Sequence, residues 1–274
     1  MKVNIVTVNF NSSLETIKML ESLEDSFSFI DSVIVVDNAS DEFHVQTLVD
    51  YQNSYVSGKL NVSFEYLNKN IGYFPGLNYG ISQLDHSRKH SDYTIVCNND
   101  LLFEHKFFEA LENSVYPLNV LALSPSVKTI NAVYQNPSMR SKPSKLRTLF
   151  YQIYYSNYTL GRIVLKLWRS MGFGIDSNFK KDEEAKSIFI GIGAIYILTP
   201  KFFSYFEQLD YPLFLYGEEA FFSKQIYGAG GSIWYEPTME VLHLESVSTD
   251  KLPSKFNYEL NAKAFKLYKN YYRD

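Results

Sequence analysis

Four times in the first hundred residues a run of strand-forming side chains stops abruptly in a cluster of asparagine, aspartate, serine or glycine. Residues 3–8 end in Asn9 and Asn11, residues 33–36 in Asp37, Asn38 and Ser40, residues 62–67 in Asn68, Asn70 and Gly72, and residues 94–97 in Asn98, Asn99 and Asp100. Helical patterns lie between these runs. Ser12-x-x-Glu15 has the spacing of a capping box ahead of Leu14, Ile17, Met19, Leu20 and Leu23, and residues 76–86 and 105–115 also read as helices. Strands alternating with helices predict an α/β fold, with a mostly parallel central sheet covered by helices on both faces.

Sheets of this kind bind ligands outside the carboxyl ends of their strands, where loops and helix N-termini converge. Turn chemistry can account for any one cluster, because Asn and Asp hydrogen-bond their own backbone. Repetition along one sheet edge points instead to a binding site, and carboxylate and amide oxygens there can hold a hard metal ion or a phosphate. Beyond residue 116 the pattern loosens. Residues 120–123, 233–235 and 241–244 read as strands, 187–198 as strand material broken by Gly191 and Gly193, and 200–206, 218–227 and 258–271 as helices.

With 274 residues, 46% of them hydrophobic and 20% charged, the chain can bury a sizeable core, which excludes a largely disordered protein. A net charge of -4 argues against nucleic acid as a partner. The average conceals an asymmetry, since no acidic residue occurs between Glu112 and Asp176. Lys128, Arg140, Lys142, Lys145, Arg147, Arg162, Lys166 and Arg169 fall there among Phe150, Tyr151, Tyr154, Tyr155, Tyr158 and Trp168. Such a segment suits a membrane interface rich in anionic lipid, or a solvated basic helix pair over the core. Cys97 is the lone cysteine, which excludes an internal disulfide and fits a reducing compartment. The first residues lack the unbroken apolar run of a secretion signal, and the longest uncharged apolar segment, 187–200, is too short to cross a bilayer. A cytoplasmic protein is expected, soluble or resting on the inner face of the plasma membrane.

The turn after the first strand, NFNSS, contains no glycine, so it lacks the G-x-G-x-x-G of dinucleotide enzymes, and no G-x-x-x-x-G-K-[ST] phosphate loop occurs. Hydride transfer and NTP hydrolysis lose support. Gly191-Ile192-Gly193 lies late and within strand-like sequence, where it is a weak sign of any ligand.

Taken together, VTVNFNSS, VVDNAS, NKNIGYFPGLNYGI, CNNDLLF, GIGAIYILTP, FLYGEEAFF and VLHLE, in this order over most of residues 1–245, resemble bacterial family 2 glycosyltransferases of the GT-A fold. The likeness is to enzymes of surface polysaccharide synthesis similar to rhamnosyl- and galactofuranosyltransferases. It implies a Rossmann-like GT-A domain over 1–245, with the basic aromatic segment 113–175 on its acceptor or membrane side, and a C-terminal helical tail over 246–274. The implied reaction is inverting, metal-dependent transfer from a nucleotide-diphosphate sugar, UDP- or dTDP-linked, to a hydroxyl of a glycan acceptor in capsule or O-antigen type synthesis. A lipid-linked acceptor would add peripheral membrane contact through 140–170.

Residue by residue, the resemblance gives Asp100 the last carboxylate of the Asp-x-Asp position, binding Mn2+ or Mg2+, with Asn98 as a weaker, neutral group where the first carboxylate often sits. His243 matches the late histidine that completes such a metal site. Asp37 falls where the nucleoside is contacted, and Asn9, Asn38, Asn70, Gly72, Asn78, Asn98 and Asn99 are expected around the donor. Glu218 and Glu219 match an acidic pair whose second member, usually Asp, is the catalytic base. Two other readings stay open: a catalytically silent nucleotide-sugar-binding or partner-binding protein on the same fold, and a sugar-1-phosphate nucleotidyltransferase, against which the missing G-x-G-x-R loop counts.

Overall fold

Strand β1 (Val3–Asn9) is buried along its whole length and runs parallel to both its neighbours, β2 (Ile30–Asp37) and β4 (Tyr93–Asn98). The computed structural model describes residues 1–55, 58–170, 180–245 and 255–272, without the side chain of Arg169. Residues 171–175 of the basic segment and 246–254 and 273–274 of the tail lie outside the described residues. Strand β3 (Val62–Tyr66) pairs in parallel on the far side of β2, and helices α1 (Ser13–Leu23), α2 (Glu42–Ser54), α3 (Tyr73–Gln83) and α4 (His86–Ser91) make the crossovers.

The second half of the chain builds outward from β4. It comprises a two-residue strand β5 (Leu101–Leu102), α5 (His105–Glu112), β6 (Val120–Thr129), the helices α6 (Lys145–Tyr154) and α7 (Tyr158–Ser170), and β7 (Lys186–Ile188). It ends with β8 (Ile195–Leu198), α8 (Glu218–Gly228), β9 (Ser232–His243) and α9 (Lys255–Tyr268). The sheet order is β3-β2-β1-β4-β8-β6-β9-β5, with β7 also on β9. The first four strands are all parallel, as the alternation predicts. Strand β8 enters antiparallel between β4 and β6, so the second half is mixed.

Alternation along β1 sends Val3 and Ile5 to one face, with Met19, Leu20, Phe107 and Phe108, and Val6 and Val8 to the other, with Phe74, Leu77 and Phe222. Helices thus cover both faces. A third cluster, with Ile190, Phe221, Ala264 and Phe265, seats α9 on α8.

Several local expectations need correction. No capping box forms at α1: the Ser12 hydroxyl bonds Asn9 Oδ1 and the Phe10 carbonyl, and Leu14 is solvent-exposed. Helix α2 went unpredicted because Leu48 is its one fully buried residue, so it carries no apolar stripe. Helix α3 begins at Tyr73, behind Gly72 at φ +96°, and not at Gly76. The expected strands 233–235 and 241–244 form one 12-residue strand, whose register with β6 jumps at Pro125/Ser126 to absorb the residues between.

Gly76 and Gly80, one turn apart on α3, let that helix lie directly on the sheet. A side-chain carbon at Gly80 would come within 2.4 Å of Val6 Cγ1 and 3.1 Å of Val36 Cγ2. Gly80→Ala is therefore expected to destabilise the protein by about 1–3 kcal/mol through overpacking. The check is a lower urea midpoint at an unchanged denaturant slope.

Candidate active site

The parallel register that pairs Asn9 with Asp37 sets two short polar side chains together at the carboxyl edge of the sheet. Asn9, wholly buried, donates through Nδ2 to Asp37 Oδ2 at 2.7 Å and Ser40 Oγ at 3.1 Å. Its Oδ1 accepts from Thr16 Oγ1 at 2.9 Å and from Asn99 Nδ2 at 3.2 Å. Asn99 Nδ2 also lies 2.7 Å from both Ser12 Oγ and Thr16 Oγ1. Asn38 joins the remaining cluster, donating to Asn70 Oδ1 at 2.9 Å and the Gly72 carbonyl at 3.0 Å and accepting from the Ile71 N–H at 2.9 Å. Residues from all four Asx clusters are thereby bound across the loops in two groups, which the Asn38 N–H joins by donating to the Asn9 carbonyl at 2.8 Å, and these bonds fix the rim.

That network relocates some expected donor contacts. Asn9 and Asp37 are sealed beneath the cleft, their side chains occupied by each other, by Ser40 and by Thr16. Asn78 turns away altogether, clamping the Leu209 backbone through both its Nδ2 (2.9 Å) and Oδ1 (2.8 Å). Asn38, Asn70, Gly72, Asn98, Asn99, Asp100 and His243 do line a common cleft of about 630 Å³.

Asp100 and His243 meet because of β5. Leu101 pairs with His243 and Leu102 with Leu242, and the Leu244 N–H donates to the Asp100 carbonyl at 2.9 Å. Asp100 Oδ1 then lies 3.2 Å from His243 Nε2. The other ring nitrogen, Nδ1, lies 2.8 Å from Gln135 Oε1, while Gln135 Nε2 donates to Glu245 Oε1 at 2.6 Å. A carboxylate accepts only, so the Gln135 amide turns its nitrogen to Glu245 and its oxygen to the imidazole, which places a hydrogen on Nδ1. His243 Nε2 and the Asp100 carboxylate oxygen therefore face each other across a gap that a proton or a metal ion must bridge. No cluster of three or more His, Cys, Asp or Glu gathers among the described residues. Asp100 and His243 fit a divalent ion that draws its remaining ligands from substrate and water. Sequence reasoning missed Gln135, which lies in an aperiodic loop and is held there by its N–H bond to the Val127 carbonyl at 2.9 Å.

Glu218 and Glu219 open α8 behind a strained turn. Tyr216 (φ +75°) and Gly217 (φ +84°) are both left-handed, a conformation that costs a non-glycine residue about 1–3 kcal/mol. Glu218 Oε1 accepts from the Tyr216 N–H at 2.9 Å, and the Tyr211 hydroxyl donates to the Tyr216 carbonyl at 2.9 Å. Burial, and then the neighbouring Glu219, push the Glu218 carboxyl up to about 7. Burial also raises Glu219, against its own N–H and that of Gly193, which favour the anion. Neither glutamate lines the cleft. The link is Tyr73, a cleft residue whose hydroxyl donates to the Gly193 carbonyl at 3.3 Å, while a side-chain carbon at Gly193 would fall 2.6 Å from Glu219 Oε1. Burial holds the Tyr73 phenol well above its usual range, reinforced by Cys97, Glu218, Asp100 and Glu219. Phe10 and Phe214, both about half exposed, add aromatic walls that the sequence reading did not single out.

A parallel half-sheet continued by mixed strands, with its cleft at the carboxyl edge, is the fold of GT-A glycosyltransferases. The crystal structure of S. aureus TarS 1-349 in complex with UDP-GlcNAc aligns with a TM-score of 0.57 at 15% identity, over 95% of this chain and 64% of that one. GalNAc-T7, solved with UDP, GalNAc and Mn2+, aligns with a TM-score of 0.63 at 14% identity, over 100% of this chain and 49% of that one. The chain thus spans less than two thirds of either protein. No curated protein matches it by sequence. The sequence profile of glycosyl transferase family 2 matches residues 4–178, more than half of the chain, and the chain belongs to that family.

Glu218 has a pH signature. Its carboxyl lies near 4.5 ordinarily and about 7 in the folded chain, so folding favours the protonated form. That contribution is fully present below about 4.5 and is lost as pH rises through about 7. Denaturation at a series of pH values should show wild-type stability falling across this window and Glu218→Gln flattening the fall; an unchanged slope in the variant would reject the assignment.

Proposed function

We propose that the chain transfers a sugar from a nucleotide-diphosphate donor to a hydroxyl of a glycan acceptor, with inversion at the anomeric carbon and a divalent metal. The charge of the cleft carries this reading. Among the described residues that line it, Asp100 and Glu245 are acidic and none is lysine or arginine. A diphosphate placed against two carboxylates is repelled unless a cation enters with it. Asp100 and His243 would hold that cation, Mn2+ or Mg2+, with the Asn98 amide near by. Once bound, the ion would offset charge on the departing diphosphate, an effect worth several kcal/mol in sites of this type.

The remaining work falls to the chain itself. Phe10 offers a flat face to a uracil or thymine ring at the rim, and Asn11 and Asn70 offer amides to the ribose. Asp37 acts indirectly, by holding Asn9 and Ser40. Glu219 takes the proton of the acceptor hydroxyl as its oxygen attacks the anomeric carbon; the bond to the diphosphate breaks and its electrons leave with the nucleotide. The N–H of Gly193 keeps that carboxylate available as an anion, and its burial makes it a stronger base than an exposed glutamate. The absent side chain at Gly193 leaves room for a glutamate where family members usually carry aspartate. Glu218 secures the Tyr216–Gly217 turn that aims its neighbour. The catalytic unit we assign is 1–245, with 113–175 on the acceptor side and the tail 246–274 packed on it through α9. The assigned setting is capsule or O-antigen type polysaccharide assembly, supported by the motif resemblance.

Nucleotide sugars screened for thermal stabilisation with and without Mn2+ identify the donor, since a tight ligand raises apparent stability by mass action. Asp100→Ala should abolish the Mn2+-dependent part of that shift. Glu219→Gln should keep it while slowing transfer by roughly 10²- to 10⁴-fold, the usual worth of a general base. Wild-type binding without turnover would favour a silent binding protein, and undiminished turnover in Glu219→Gln would remove the base. Gln135→Ala, which frees the imidazole to rotate, should weaken Mn2+ by about 10- to 100-fold in calorimetric titration; unchanged affinity would remove Gln135 from the site.

A further inference from the structure

Helices α6 and α7 pack against each other, with the Phe150 and Trp168 rings 4.3 Å apart, yet each leaves an apolar stripe in solvent. On α6 the exposed residues are Leu146 (57%), Leu149 (51%) and Ile153 (38%); on α7 they are Leu160 (43%), Ile163 (54%) and Leu167 (56%). Both sets follow the spacing i, i+3, i+7, which gathers them within about 60° of one helix face. Six exposed large aliphatic side chains on two helices packed together are a concentration of apolar surface, and concentrations of this kind mark interaction sites.

The charges around the stripes select the occupant. Lys142, Lys145, Arg147, Arg162 and Lys166 fall on or beside these helices, within a span of sequence that contains no acid at all. Among the described residues none of these five makes an ion pair. A second copy of the chain would bring the same cations against one another. A bilayer with anionic headgroups answers both features, since leucine and isoleucine enter the acyl boundary while lysine and arginine stay at headgroup depth. No described helix is long and apolar enough to cross a membrane, so the contact is one of lying on the surface.

We infer that α6 and α7 form an amphipathic pair that docks the protein on the surface of an anionic lipid bilayer. The pair reaches the candidate active site through α9: Tyr151 and Tyr155 pack on Phe265, and Ala264 and Tyr268 of the same helix lie against the Gly217 turn that carries Glu218 and Glu219. The inference holds whether or not the transfer reaction proposed above does, because it concerns lipid alone.

Flotation of the full chain with phosphatidylcholine vesicles containing phosphatidylglycerol tests it. Binding is expected to these vesicles at low salt, to fall in 0.5 M NaCl, and to be absent with phosphatidylcholine alone. Leu149→Glu and Ile163→Glu should each abolish flotation, and neutralising Lys142, Lys145 and Lys166 to Gln should weaken it by about fivefold per charge. Circular dichroism and thermal melts on the same samples establish that the variants are folded, and the conservative pair Leu149→Met and Ile163→Val should float as wild type does. Failure of the folded wild type to float overturns the inference, as does loss of flotation in only one of the two glutamate variants, or sedimentation of wild type as a dimer that Leu149→Glu dissolves while vesicles have no effect.

Discussion

The pairing of Leu101 and Leu102 with His243 and Leu242 is the contact on which the site depends. Asp100 ends a loop in the first half of the chain and His243 ends the last strand of the sheet, and their side chains meet only because two backbone-paired residues next to Asp100 complete the sheet edge. Main-chain hydrogen bonds make that tie, so it is insensitive to side-chain identity at the pairing residues. It brings an imidazole nitrogen and a carboxylate oxygen together in a cleft without lysine or arginine among its described lining residues. The two atoms face each other favourably only with a proton or a metal ion between them.

Beneath the cleft and along its wall, several asparagines tie the loops to one another. Asn9, Asn38 and Asn99 have most of their donor and acceptor capacity consumed by neighbouring loops. A site built on such a network is preorganised, because little side-chain freedom remains to be lost when a ligand binds. Asn11, Asn70, Asn98, Asp100, His243 and the aromatic rings of Phe10 and Tyr73 line the cleft with Asn38 and Asn99.

The sequence made the parallel half of the fold legible because β1, β2 and β4 are buried on both faces and read as short apolar runs stopped by Asx residues. The same runs located the site edge, and motif order brought Asp100 and His243 into one expected site although they lie far apart in the chain. What stayed hidden was nonlocal or unpatterned. Helix α2 buries one residue fully, the antiparallel entry of β8 depends on distant partners, and the register jump opposite Pro125 joins what reads as two strands. Gln135 carries no motif, and its place beside His243 follows from tertiary contacts alone. Residue type marked Asn78 and Asp37 as polar and near a turn but not which way their side chains point, and that is decided by the Leu209 backbone and by Asn9.

Two sides of the molecule are joined by α9, which lies between the aromatic face of α6 and the strained turn ahead of Glu218. Burial of both glutamates keeps their carboxyls above the ordinary range. The most direct measurement of the central claim is anomalous scattering at the manganese edge from crystals grown with UDP and MnCl2. A peak within bonding distance of both Asp100 and His243 Nε2, and touching the diphosphate, is the predicted result. UDP bound in the cleft with no manganese at that pair, or with the ion held elsewhere, would contradict the account.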